Sequence, residues 1–575
     1  MKKSTLVAYT LTIASLLAFS PDHLSGKTFY LPDASLKSVP KSGVQFKTNN
    51  PVLQKIFDEA EKKAQWNINS FGSYKVLVEG AGYKNVWLET QPIGGCMYAK
   101  RDVEIARNNQ LIFMDLQRAD GRFPGAIGFK DGALKPRYQE LQGDYLPLEA
   151  FDVYFWIGKD SEYLKKLYAS IEKYDNYLWK FRDSDNNGCL EAWGAGDTGE
   201  DHCTRFGKSY HSWMFDYAPT VENLKKMSKA DSTQLCMDGC NKGISKNPTN
   251  ALEYQTPMPI ESMDMMSYSY GNRIVLAQIA KILQNGQANY WNKKAKEVQA
   301  KLKSYLWNER KHACYDRDKN NTAIDILTHN NLRCMYFGSF DQKMADAFVK
   351  YHLMNPDEFW TPMPMPAIAA NDPAFRNIPG NNWSGQPQGL IYQRSFRALE
   401  NYGHYAELSL IGEKFLKVIG DSLKFTQQFD PFSGTINNSS DGYGPSILSS
   451  LEFISRMYGI QLSQDKVLWS CLDTKNQYDY TQQLGNREFK LTTKDNRVHC
   501  SINGKEVFSF TKGIRIVSDL DGNILEAVGI DTEDKMVEIT DHKKTISLSV
   551  APNTVYAYQN KFRKVKAVEF CKPVK

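Results

Sequence analysis

The chain has 575 residues, 42% hydrophobic, 24% charged and 12% aromatic, with a net charge of +6. These proportions exclude a disordered, collagenous or membrane-embedded chain. No long Lys/Arg block occurs outside the tail Lys561 to Lys575, so nucleic acid is not an expected partner.

Lys2 and Lys3 precede an apolar run from Leu6 to Phe19 that ends at Ser20, Pro21 and Asp22. The run is short for a membrane span and has the order of a secretory signal. Residues 1–26 therefore read as a cleaved signal peptide. A periplasmic or secreted protein with no integral membrane segment after cleavage is expected.

From there to about residue 460, apolar residues recur at helical spacing. The spacing predicts helices over Val52 to Ile68, Val103 to Leu116, Leu148 to Ile157, Tyr163 to Leu178, Met265 to Leu283 and Tyr290 to Leu306. It continues over Leu332 to Tyr336, Met344 to Leu353, Leu390 to Leu399, Tyr405 to Ile419 and Ile447 to Tyr458. About a dozen helices joined by long aromatic and Gly/Pro-rich loops suggest a helical toroid over residues 27–462. After Gln464 the period becomes two, at Val498, Cys500 and Ile502 and again at Ile546, Leu548 and Val550, with hairpin signals at Asn503-Gly504 and Asp521-Gly522. Residues 463–575 are expected to form a small antiparallel, sandwich-like β domain, and the whole a mainly α protein.

Ten cysteines in an exported chain make disulfides possible, with Cys236 and Cys240 the closest local pair. The chain lacks CxxC and HExxH, so no zinc site and no cofactor is expected. Asp183, Asp185, Asn187 and Gly188 resemble the start of a calcium loop, but Gly194 stands where the bidentate Glu belongs, so a tight turn is expected.

The long loops carry the chemistry. Asp183 to Phe206 crowds Glu191, Asp197, Glu200 and Asp201 around Trp193 and several glycines. Similar mixtures recur in Val78 to Pro92, Thr256 to Tyr270, Glu358 to Pro366 and Asn381 to Gly389. Carboxylates and amides bind hydroxyls, aromatic faces cover the apolar side of a ring, and two carboxyl groups can cleave a glycosidic bond. An oligosaccharide or polysaccharide is thus the expected substrate.

These loops resemble those of the (α/α)6-barrel (six-hairpin) glycoside hydrolases of family 63 and the mannosylglycerate-hydrolase-like group, and more distantly the trehalases of family 37. Thr198-Gly199-Glu200-Asp201 is similar to the segment that holds the family's general acid and puts Asp201 there. VWLET, LWNERKHACYDRD, ESMDMMSY, NNWSG and DGYGPSIL also resemble family segments between about residues 50 and 460. The resemblance implies an inverting α-glycosidase acting on oligosaccharides or glycan ends. Glu89 and Asp264 match sugar-binding positions, and Asp197, Glu200, Trp193 and Trp383 complete the expected substrate contacts. The family base is a Glu, and TQQFDPFSG puts Gln427 in its place. An amide cannot take a proton from water, so the base stays open among Glu261, Asp430 and Asp441. Two alternatives remain: a polysaccharide lyase on a helical toroid, and a glycan-binding protein on a degenerate hydrolase scaffold.

Overall fold

The computed structural model describes residues 38–138, 140–207, 259–436, 440–541 and 544–573. Residues 1–26, expected to be a signal peptide, and the Cys236/Cys240 pair lie outside these residues. The eight described cysteines are free thiols.

Thirteen α-helices are present among the described residues: α1 (Pro51–Trp66), α2 (Gln91–Tyr98), α3 (Val103–Asp115), α4 (Leu146–Trp156), α5 (Ser161–Phe181), the single turn α6 (Ala195–Thr198), α7 (Met263–Leu283), α8 (Ala288–Tyr305), α9 (Asn330–Phe337), α10 (Gln342–Phe348), α11 (Gly389–Glu400), α12 (Tyr405–Ser422) and α13 (Gly444–Tyr458). Setting α6 aside, alternate helices touch in a closed ring that runs α2, α4, α7, α9, α11, α13 and back to α2. Helices α1, α3, α5, α8 and α12 pack on the outside of that ring.

The two sets differ in sequence as their positions require. The outer α8 buries only Trp291, Ala295, Val298 and Leu302, a single stripe with Lys and Glu on the other face. The inner α9 buries all of its residues, and α13 buries every residue but Arg456. Helix starts are set by side-chain caps: Asn50, Asp102, Asp160 and Ser262 each accept hydrogen bonds from backbone N–H groups of the first turn of α1, α3, α5 and α7. In α2, Gly95 lets the ring close on α3, because a Cβ there would stand 2.5 Å from Asn109 Cβ.

Two antiparallel sheets follow. One has seven strands in the order Ser42–Thr48, Tyr478–Leu484, Arg487–Lys494, Arg497–Ile502, Lys505–Thr511, Lys535–Asp541 and Lys544–Val550. The other has six, in the order Ile460–Ser463, Lys466–Cys471, Ile514–Asp519, Ile524–Gly529, Thr554–Tyr558 and Phe562–Ala567. Their inner faces meet at the buried Trp469, whose ring lies 6.1 Å from Phe489 and 5.7 Å from Phe508. Asn553 Nδ2 donates to Glu407 Oε2 on α12 at 2.7 Å and Arg515 pairs with Glu400 on α11 at 2.9 Å, fixing the sandwich to the ring.

Three expectations change. The β part is not small, and with thirteen strands in two sheets "mainly α" misdescribes the chain. The boundaries 27–462 and 463–575 also shift. Ser42–Thr48 pairs in register with Tyr478–Leu484, so the N-terminal strand belongs to the sandwich, which on its other side begins at Ile460.

Candidate active site

A cavity of about 190 Å³ opens among the loops at one end of the ring. Four segments build most of it: Glu79 to Glu89 ahead of α2, Gly199 to His202 after α6, Asn381 to Trp383 ahead of α11, and Gln427 with Tyr443 ahead of α13. Three of these lead directly into inner helices, so ring closure sets their mutual positions.

Asp201 is reached through Gly199, whose φ of +73° is the left-handed region. A Cβ at Gly199 would also overlap the Glu89 carboxyl. Two bonds clamp this loop to the next wall. Trp383 N–H donates to Asp201 O at 3.0 Å, and Ser384 Oγ–H donates to His202 O at 2.7 Å. The carboxyl of Asp201 accepts at Oδ2 from Asn381 Nδ2 at 2.6 Å. Asn381 Oδ1 in turn accepts from Gln427 Nε2 at 2.6 Å, and Gln427 Oε1 accepts from Tyr83 Oη–H at 3.0 Å. Tyr83, Gln427, Asn381 and Asp201 are thus one directed chain of hydrogen bonds. Desolvation in the cavity raises Asp201 above the usual aspartate range, and the bond from Asn381 opposes that shift.

Glu89 is also in the wall, with both oxygens engaged: Oε1 accepts from Gln142 Nε2 at 2.9 Å and Oε2 from Arg394 at 3.0 Å. Burial pushes it up to about 7 against the pull of Arg394 and Arg333. Trp383 forms another wall, its indole backed by Arg333 and Arg394. Of the wall residues outside the expected set, two bear most on the chemistry. Glu79 follows the strand Tyr74–Leu77 and precedes three successive positive-φ residues, Gly80, Ala81 and Gly82. Its Oε1 accepts from Tyr443 Oη–H at 2.8 Å. Burial, and then the charges of Glu89 and Asp201, push it up to about 8. Asn381 is the other. The acid-and-aromatic composition of Val78 to Pro92 pointed at the right loop, but nothing local separates Glu79 from its neighbours.

The remaining expected contacts lie elsewhere. Asp197 pairs with Arg182 at 2.7 Å and accepts from the Trp193 and Leu141 N–H groups. Trp193 stacks on Arg182, 3.9 Å from its guanidinium, and is buried away from the cavity. Glu200 and Asp264 belong to a buried cluster in which Arg205 bonds Glu200, Asp264 and Asp316, and Asn330 donates to both Glu200 and Asp264. Neither of these two residues lines the cavity, so its contents do not meet their carboxylates. None of the three base candidates reaches the cavity. Glu261 is held by Asn187 Nδ2, opposite Glu191 in a two-stranded ladder. Asp430 caps a turn by accepting from the Phe432 and Ser433 N–H groups. Asp441 pairs with Lys63 at 2.7 Å and accepts from Phe425 N–H. Asp183, Asp185 and Asn187 hold the backbone of a turn, their oxygens accepting from Gly188, Asn187 and Cys189 N–H groups.

The sequence matches the mannosylglycerate hydrolase MGH1-like glycoside hydrolase domain over residues 102–446. The chain belongs to this family. It is a family-63-like glycoside hydrolase, and the sugar-cleaving chemistry expected of the loops is that of its family. The GH63 mannosylglycerate hydrolase of Thermus thermophilus, solved with glucose, has the same fold at 16% identity, covering 70% of this chain and 100% of the other with a TM-score of 0.54. A sialidase superposes with a TM-score of 0.60 at 13% identity, over 83% of this chain and 42% of its own. The neutral trehalase of Saccharomyces cerevisiae gives a TM-score of 0.48 at 15% identity, over 66% and 73% of the two chains. No curated protein sequence matches the chain. Among the described residues no helix is long and apolar enough to cross a membrane.

Proposed function

We propose that this glycoside hydrolase is exported and removes single sugar residues from the ends of α-linked oligosaccharides or glycans with inversion, Asp201 acting as the general acid. The observation that carries the reading is the setting of Asp201. It lies in a cavity walled by acids and aromatics, with one oxygen fixed by Asn381 and the other left without a protein partner among the described residues. Desolvation favours its protonated form, as proton donation to a leaving oxygen needs. A volume of about 190 Å³ lies below the roughly 300–1,000 Å³ of pockets that enclose drug-sized ligands, which favours one ring over a chain. Among the described residues the wall holds Glu79, Glu89, Glu140 and Asp201 but no Lys or Arg. Carboxyls with no Lys or Arg among them offer a uronate carboxylate no partner, which favours neutral or amino sugars and opposes the lyase alternative.

The test is a panel of α-linked disaccharides and 4-nitrophenyl α-glycosides, with the product anomer read by NMR before mutarotation. One hydrolysed compound giving the β anomer supports the reading, and an α product contradicts inversion. Asp201→Asn is expected to slow disaccharide cleavage by at least about a hundredfold, within the range for a positioned acid. The loss should be much smaller for the nitrophenyl glycoside, whose oxygen needs little protonation. A second reading, sugar binding without turnover, rests on the amide at Gln427. Affinity for a panel member without cleavage of any would favour it.

A further inference from the structure

On the hydrolase reading just given, we infer that Glu79 is the second catalytic carboxyl, the base that activates water, in place of the amide at Gln427. Inversion needs two carboxyls facing one ring, one to give a proton and one to take it. The cavity wall contains few candidates. Glu89 has both oxygens committed, one to Gln142 and one to the Arg394 guanidinium. Glu79 is arranged as Asp201 is. One oxygen of each is held by a single neutral donor, Tyr443 Oη–H for Glu79 and Asn381 Nδ2–H for Asp201, and the other has no protein partner among the described residues.

The backbone of Glu79 is fixed as tightly as a catalytic group requires. Gly444 N–H donates to Glu79 O at 2.7 Å, and the Asn67 amide donates to Gly442 O at 2.9 Å beside it. A Cβ at Gly80 would collide with Gly442 O and the Asn67 amide, and φ there is +86°. The Glu79 turn is therefore locked to the segment ahead of α13, the same segment that carries Gln427 and Tyr443. Gln427 lies between Tyr83 and Asn381 and orients the acid's partner, which is work an amide can do. Burial raises Glu79, and the charges of Glu89 and, to a lesser extent, Asp201 add to that.

The step balances as follows. The glycosidic C–O bond breaks and its electron pair leaves on the aglycone oxygen, which takes the proton of Asp201. The water oxygen bonds to the anomeric carbon from the opposite face and passes one proton to Glu79 Oε2. One water is consumed, and solvent returns both carboxyls to their starting states. The glycosidic oxygen can only accept a proton and the water must give one up, so cleavage needs Asp201 protonated and Glu79 ionised.

The experiment measures Glu79→Gln, Glu79→Ala, Asp201→Asn, Glu140→Gln and, as a variant outside the cavity, Asp430→Asn. It uses the best disaccharide and the best nitrophenyl glycoside of the panel, with thermal unfolding of each variant. Glu79→Gln should lower kcat at least about a hundredfold on both substrates, since water needs its base whatever the leaving group. KM and the unfolding midpoint should stay near the parent's, because a Gln oxygen can still accept from Tyr443. Sodium azide, an anionic nucleophile with no proton to lose, should restore nitrophenol release by Glu79→Ala and yield the β-glycosyl azide. Azide should do nothing for Asp201→Asn. If Glu79→Gln keeps kcat within about threefold while Asp201→Asn does not, or if Glu140→Gln is the variant that collapses, the inference fails and the hydrolase reading stands. If Glu79→Ala unfolds, the Gln variant still decides by its kcat. If no panel member is cleaved by the parent, or Asp201→Asn is as active as the parent, the reading itself fails and the inference with it.

Discussion

Asp264→Asn separates two roles for a residue that the loops' resemblance makes a sugar ligand and the fold makes a strut. The Asp264 carboxylate accepts from Arg205 at 2.5 Å and from Asn330 Nδ2 at 2.8 Å, and lies 3.7 Å from Arg333. All of these groups are buried. Breaking a buried ion pair by removing one partner costs about 3–5 kcal/mol. Arg205 keeps Glu200 and Asp316, and losing the Asp264 charge relieves Asp316, which burial and the neighbouring carboxylates push up to about 6. The net loss is therefore expected below that range, about 2–3 kcal/mol. Thermal and urea unfolding of the purified protein measure it, with KM for the cleaved glycoside determined alongside. The variant should unfold several degrees lower with KM within about twofold of the parent. An unchanged midpoint with KM raised about tenfold or more would show that Asp264 touches the sugar and that the cluster is misread.

Gly199→Ala should cost both stability and activity, because the new Cβ displaces Glu89 from Arg394 at a position with φ of +73°; a variant with parental kcat and midpoint would refute the close contact. Asp144 is buried and pushed up to about 8, so the native state holds a proton that the unfolded chain releases near pH 4. Its contribution is full below that pH and is lost as pH rises toward 8, so the advantage of Asp144→Asn in unfolding midpoint should grow from about pH 5 to 8. An advantage that is flat with pH would contradict this. The acidic wall should make a 4-nitrophenyl α-glycoside with a neutral ring at least about tenfold better in kcat/KM than the matching uronide, the gap narrowing with salt. Gln427→Glu, which supplies the family's carboxylate, should lower kcat and not raise it.

The helices are legible in the sequence wherever they carry one apolar stripe: the expected Val103 to Leu116 is Val103–Asp115, and Met265 to Leu283 is Met263–Leu283. Helix α2 is not. QPIGGCMY has no periodicity because its glycines serve close packing, Gly95 against α3, and an inner helix needs no polar face. Asn503-Gly504 and Asp521-Gly522 form the expected turns, since φ > 0 is a local demand that the residue itself reveals. The strand Ser42–Thr48 leaves no such mark because its partner is more than four hundred residues away. The site divides the same way. Motif order places Asp201, Glu89 and Trp383 in it. Glu200, Asp264 and Asp197 share the same kind of loop and composition, yet they face buried arginines. Nothing in an acid's own neighbourhood tells whether its partner is a sugar or a guanidinium.

The amide at position 427 is a consistent part of this site and not merely a lost carboxylate. The Asn381 side chain has an acceptor end and a donor end, and Gln427 decides which faces Asp201: its Nε2–H occupies Asn381 Oδ1, so Nδ2–H is turned to Asp201. Tyr83 in turn donates to Gln427 Oε1 and fixes the amide's own sense. A carboxylate at 427 could only accept. It would draw Asn381 Nδ2–H to itself, leave Asn381 Oδ1 against Asp201, and add a negative charge to a cavity where burial already raises Glu79 and Glu89. With an amide there, the carboxylate that water needs has to come from another wall. The loop before α2 supplies one, held by Tyr443 from the same segment that carries Gln427.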